Sequence, residues 1–226
     1  MMLESYKGNR FNIMYYNAAA VYYHASDILQ FITNWPNPNR LLSAVSEDLQ
    51  IPVYKAEIRA LGLIDKVVTG PYWRIVEKVD NILDMNQHLL QMKLGLERWT
   101  HDATTVLEGE PMFAPEVAPI HKDALYDKLM EETGSVEFDS LTVQALEMLM
   151  HSLLIILERQ CEEQLPGGKY CDLSDGEKES VSSVPTTNVA GERDFAILDL
   201  LVRTKPAATT LCYGTLVMWA NNKTKA

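Results

Sequence analysis

Glu192 is the side chain with the strongest chemical reading in this sequence. It lies in the stretch 188–204, NVAGERDFAILDLLVRT, where a charged motif opens an apolar helical stripe of Phe195, Leu198, Leu201 and Val202. A carboxylate on a helix can complete a divalent-metal site, but a hard cation such as Mg²⁺ needs further oxygen ligands held on separate elements. Asp199 returns to nearly the same helical face, yet it stands roughly 10 Å along the axis from Glu192, too far to share an ion. Asp194 points nearly the opposite way. The competing reading is electrostatic. Asn188 is a good N-cap, and Glu192 falls in the first turn, where the helix dipole favours an anion. On the residues alone, capping outweighs catalysis.

Other chemistry-bearing residues are scattered. His24, His88, His101, His121 and His151 stand singly, none with a second ligand at helical spacing, so none is assigned to a metal. Cys161, Cys171 and Cys212 form no CxxC pair and leave one unpaired, the habit of a reducing compartment. Glycine-rich phosphate loops, HExxH, GxSxG and EF-hand loops are missing. Lys7, Arg10, Lys55 and Arg59 among Tyr6 and Phe11 could form a basic, stacking patch, but a solvated face is the favoured reading. Met85, Met92, Met130, Met148 and Met150 read as core filler.

The elements that would carry these residues are mainly helical. A helix is expected over 12–32, with a short strand over 11–16 as its competitor. Residues 34–39, NWPNPN, form a turn, and a helix over 41–50 stops at Pro52. Between 53 and 99 the helical period runs on both sides of Gly70-Pro71, which predicts two helices meeting at a corner. The stripes are Ile58, Leu61, Ile64 and Val68 before it, then Ile75, Val79, Ile82, Leu83, Leu89 and Leu90. A loop over 101–122 follows, then a short helix over 125–132. A long helix over 141–164 buries Val143, Leu146, Met150, Leu153, Leu154 and Leu157, and Pro166-Gly167-Gly168 ends it. Ser, Asp, Glu and Lys then predict a flexible acidic linker over 166–187. Two helices close the chain, one from 188 and one over 209–220, separated by Pro206. Three regions result: 1–165, 166–187 and 188–226.

The 226 residues are 47% hydrophobic, enough for a sizeable core. The net charge of −11 is unevenly spread: up to Trp99 ten basic residues meet ten acidic ones, and beyond it ten basic meet twenty-one acidic. Phosphate backbones repel such a chain, so sequence-independent nucleic-acid binding by it alone is not expected. The apolar run 153–157 is too short to span a bilayer, and no signal-peptide pattern opens the sequence. A soluble, intracellular protein is expected.

Three stretches bear a family likeness. Glu192-Arg193-Asp194-Phe195 resembles the C-terminal E-R-x-F motif of the hAT superfamily of DNA transposases. Asn9-Arg10-Phe11-Asn12 looks like the segment opening the helical insertion of those enzymes. Ala60-Leu61-Gly62-Leu63-Ile64-Asp65, running on to Thr69-Gly70-Pro71-Tyr72-Trp73-Arg74, looks like insertion-helix sequence. Gly191 and Ala196 depart from the usual pattern, which has serine at both places.

The resemblance implies the helical insertion and C-terminal helices of a ribonuclease H-like transposase core, with most strands of that core absent. It carries over Glu192 alone as the third metal carboxylate; neither aspartate of the family's triad has a counterpart here. Two-metal phosphoryl transfer needs ligands that clamp both ions. The expectation is therefore a truncated or domesticated, catalytically incomplete remnant, with no metal bound to the isolated chain. It would act by self-association or by binding a transposase-like partner, with Phe195, Leu198, Leu201, Val202, Leu216 and Trp219 as interface or core residues. The alternative is a fragment of an active transposase that cleaves and transfers DNA with Mg²⁺ or Mn²⁺ held in part by Glu192. DNA binding is expected only if upstream domains exist. Nuclear localisation follows from the resemblance, and no membrane partner is expected.

Overall fold

A computed structural model describes residues 12–79, 81–181, 184, 186 and 189–221. Within the last stretch, the side chains of Val189, Ala190, Glu192, Arg193 and Asn221 lie outside the description. The protein is mainly helical, with no strand among the described residues.

Helix α1 (Asn12–Tyr23) takes the place of the competing strand, because Ala19 and Ala20 are fully buried against the neighbouring helices. The single helix expected over 12–32 is two. At His24 the backbone leaves helical geometry (φ −94°, ψ 10°), and α2 (Ala25–Asn34) starts with Asp27 in its first turn, its carboxylate 3.0 Å from His24 Nδ1. Helix α3 (Arg40–Asp48) is capped by the Asn39 side chain, which accepts the Leu42 N–H at 2.9 Å.

Pro52 opens the next helix where it was expected only to stop the previous one, since a proline at N1 forfeits no hydrogen bond. That helix, α4 (Pro52–Ile64), runs without a corner into a π-helical turn (Asp65–Thr69) and then α5 (Gly70–Val76). The expected break at Gly70-Pro71 does not occur. Gly70 keeps helical geometry (φ −63°, ψ −50°), and its N–H reaches back five residues to the Asp65 carbonyl. A Cβ on Gly70 would lie 2.6 Å from that oxygen, so only glycine closes the wide turn. The proline that follows cannot donate, and a π turn ahead of it absorbs the loss. The direction changes later, beyond Glu77.

A 3₁₀ turn (Ile82–Asp84) leads into α6 (Met85–Trp99), followed by the short α7 (Thr104–Leu107), α8 (Ala124–Met130) and the long α9 (Val136–Gln160). Helix α4 packs between α1 and α9, and α9 in turn packs on α6. At the α1–α4 crossing Gly62 faces Ala19 so closely that an added Cβ would stand 2.8 Å from the Ala19 Cα. The region over 101–122, read from sequence as a loop, contributes Ala103, Val106, Met112, Phe113 and Ala118 to the core. Gly95 leaves the room that Met112 Sδ fills.

Nine of the expected methionine and stripe positions behave as read: Ile64, Val68, Ile75, Met85, Leu89, Met92, Leu146, Met150 and Leu157 are buried. Met148 is not core filler. It lies on the outer face of α9 and is 73% exposed. The segment read as a linker carries a helix, α10 (Asp175–Ser180), started by a capping box between Ser174 and Glu177. It is also tied back to the bundle: Asn86 Nδ2 donates to the Tyr170 carbonyl at 2.8 Å, and the Thr186 hydroxyl donates to the Val76 carbonyl at 2.9 Å. Helices α11 (Val189–Thr204) and α12 (Thr210–Asn221) pack on each other as a hairpin.

Candidate functional site

The sequence-predicted site residues all fall on the α11–α12 hairpin. One buried side chain anchors it among the described residues: Tyr213, whose hydroxyl donates to the Lys205 carbonyl at 2.7 Å across the turn. The Thr209 hydroxyl accepts the Cys212 N–H at 3.3 Å and starts α12, while Arg203 pairs with Asp199 at 2.7 Å on the outside of α11. Leu198, Leu201 and Leu216 are half-buried. Phe195, Val202 and Trp219 are exposed, so they are not core residues. Leu200, Leu211 and Met218 join them in the open, giving both helices an uncovered apolar face.

Glu192 falls within α11, but its side chain lies outside the described residues, as do Asn188, its expected cap, and the Asn9-Arg10-Phe11 segment. Asp194 is half-buried and Asp199 is engaged by Arg203. Among the described residues no group of three or more His, Cys, Asp or Glu side chains is arranged to hold a metal ion.

Two clusters of charge lie inside the bundle, and the first overturns the solvated-face reading for Arg59, whose guanidinium is drawn inward by buried acceptors. Arg59 projects from the core-facing side of α4, three residues after buried Ala56 and four before buried Leu63, and is 2% exposed. It donates to the Leu129 carbonyl (2.8 Å), the Glu131 carbonyl (3.1 Å) and the Asp139 carboxylate (2.6 Å), clamping the α8–α9 connection. Its guanidinium also stacks near the rings of Tyr22 and Phe138.

The second cluster surrounds the π turn. Lys66 bridges Asp65 at 3.9 Å and Asp123 at 2.9 Å, and His121 Nδ1 lies 3.4 Å from the same Asp123 carboxylate. Burial pushes the Asp65 carboxyl up to about 6 against the pull of the Lys66 ammonium. Burial also pushes Asp123 up, but the hydrogen bonds from Lys66 and the Tyr126 N–H outweigh it and hold that carboxyl below its ordinary range. Arg74 closes the arrangement by donating to the Pro119 carbonyl at 2.9 Å. These groups fasten residues 119–123 onto the turn. The sequence does carry a signal for them: adjacent charges Asp65-Lys66 interrupt an apolar stripe just before Gly-Pro, and Arg59 occupies a core-facing register.

Two open grooves lie elsewhere. An open groove of about 770 Å³ runs between Tyr22, Leu49, Lys55, Phe138 and Leu141, and one of about 390 Å³ lies between Asn86, Cys171 and Lys178. No protein-family model, curated protein or solved structure matches this chain. The fold and its surfaces therefore carry the functional reading.

Proposed function

We propose that this chain is a hAT-transposase-like helical protein that acts by self-association through the α11–α12 hairpin and does not cut DNA by itself. In this reading α11 and α12 correspond to the C-terminal helices of a ribonuclease H-like transposase core, and residues 1–165 to its helical insertion. The supporting observation is the hairpin's uncovered apolar face, with Phe195, Leu211, Met218 and Trp219 each more than half exposed. Its charge favours a second copy. Residues 189–221 hold three acidic groups (Glu192, Asp194, Asp199) and three basic ones (Arg193, Arg203, Lys205), so the hairpin is neutral in a chain of net charge −11. Two hairpins can therefore meet without the repulsion that opposes contact elsewhere.

The incapacity for cleavage follows from ligand number, since Glu192 alone cannot clamp two ions. Light scattering at tens of micromolar should show an oligomer, and Phe195→Ser with Trp219→Ser should lower its mass without changing helical content. A wild-type chain that stays strictly monomeric would sink the proposal.

A further inference from the structure

Helix α9 has a second face that the bundle does not use. Exposed along it are Glu137, Gln144, Met148, Ser152, Ile155 and Arg159, and half-buried Leu141 continues the row between the first two, at successive spacings of three and four residues. Met148 is 73% and Ile155 52% exposed, with Ile156 beside it at 56%. Heptad spacing of Leu141, Met148 and Ile155 keeps the three apolar groups in one row, as in a helix-pairing seam.

The charges of α9 are sorted in the same way. It carries five charged residues, and three are engaged within the chain: Asp139 with Arg59 at 2.6 Å, Glu158 with Lys93 at 2.7 Å, and Glu147 accepting the Ala103 N–H at 3.4 Å. Glu137 and Arg159 make no ion pair among the described residues, and they stand at opposite ends of the exposed row. Each is eleven residues from Met148.

We propose that α9 pairs antiparallel with α9 of a second copy about a two-fold axis at Met148. That axis sets Met148 against its own counterpart and Leu141 against Ile155. It also sets Glu137 against Arg159, twice by symmetry, so the face is complementary to itself in both apolarity and charge. Antiparallel pairing aligns the helix dipoles favourably as well. A lipid surface would have no use for unlike charges at matched distances from the centre. A helix pair of this length buries roughly 1,000 Å² in total, the low end of specific interfaces, so a weak dimer is expected.

The inference does not rest on the hairpin reading, and the test separates them. In the full chain carrying Phe195→Ser and Trp219→Ser, sedimentation should still show a dimer, and adding Met148→Glu should weaken it at least about thirtyfold. Glu137→Arg or Arg159→Glu alone should weaken it about tenfold, and the two together should restore it to within about threefold, the signature of a direct pair. A hairpin-silenced chain that is monomeric overturns the α9 dimer whatever the wild type does. So does a double swap that fails to rescue, which would mark a different partner face. Met148-dependent binding to phosphatidylcholine vesicles by a chain monomeric in solution would overturn it in favour of lipid.

Discussion

In the bundle around α4, Arg59 lies at 2% exposure and holds two carbonyls and a carboxylate from another part of the chain. In the hairpin, Arg203 lies in the open and holds one carboxylate a turn away on its own helix. The bundle commits long-range polar contacts and whole buried side chains to one arrangement of its helices. The hairpin has Tyr213 and a few half-buried leucines. The same kind of amphipathic helix is thus a closed element in one region and an open one in the other. Met148 and Ile155 on α9, and Phe195 and Trp219 on the hairpin, are left uncovered, and the two proposed contacts are built on them.

The largest expected difference is at these two arginines. Arg59→Ala removes a buried cation, takes its donors from two carbonyls and leaves the Asp139 carboxylate with the Thr133 hydroxyl alone, a loss of about 3–5 kcal/mol. Arg203→Ala removes an exposed i,i+4 pair and should change stability by about 0.5 kcal/mol or less. Urea denaturation of both variants measures the contrast. Similar losses would mean that the hairpin is knit into the bundle by contacts comparable to those of α4.

Asp65 gives the next effect, and its sign is unusual for an acid beside a lysine. Folded Asp65 keeps its proton to about pH 6, whereas the unfolded chain gives it up in the ordinary range near 4. Between those values the folded state binds more protons, so this group's contribution is fully present below about pH 4 and is lost as pH rises through 6. A proton held that much more tightly corresponds to about 3 kcal/mol. Wild type should therefore lose stability relative to Asp65→Asn between pH 4 and 7, with the difference level above that. A difference that grows in favour of wild type with rising pH would show that Lys66 outweighs burial at this site. Asp123, held below its ordinary range, works in the opposite direction and loses its contribution only as the pH falls into the acid range.

Periodicity alone locates most of the helices, because apolar residues at three- and four-residue spacing must face a core wherever they sit. It places Leu146, Met150 and Leu157 correctly on α9 for that reason. Punctuation is harder to read. Gly70-Pro71 has the composition of a corner, but the π turn before it lets the helix continue, and nothing in residue type distinguishes those outcomes without the Asp65 carbonyl in view. Local composition likewise misses the burial of residues over 101–122, where Phe113 is buried and Met112 fills space made available by Gly95 on another helix. The candidate surface is legible only in part: spacing names the apolar residues of α11 and α12, but it does not say that Phe195 and Trp219 face outward while Tyr213 is buried. Met148 escapes a correct reading for the same reason, since methionine suits a core and an open face equally well.

The smallest and sharpest contrast is between two glycines. At Gly62 an added methyl would meet the Ala19 Cα at 2.8 Å and Leu129 Cδ2 at 2.9 Å, and backbone cannot rotate aside, so Gly62→Ala should cost about 1–3 kcal/mol by forcing α1 off α4. At Gly214, in α12, nothing stands within 4 Å of the added atom. Alanine there should stabilise the helix by about 0.5–1 kcal/mol, seen as slower amide exchange confined to the hairpin. Gly214 also lies between Leu211 and Met218 on the exposed face of α12, so the same substitution probes the proposed contact. If a second hairpin approaches closely at that face, Gly214→Ala should protect the hairpin amides in dilute, monomeric protein while weakening the oligomer seen by light scattering. Protection gained with association unchanged would place the contact on the Phe195 and Trp219 side instead.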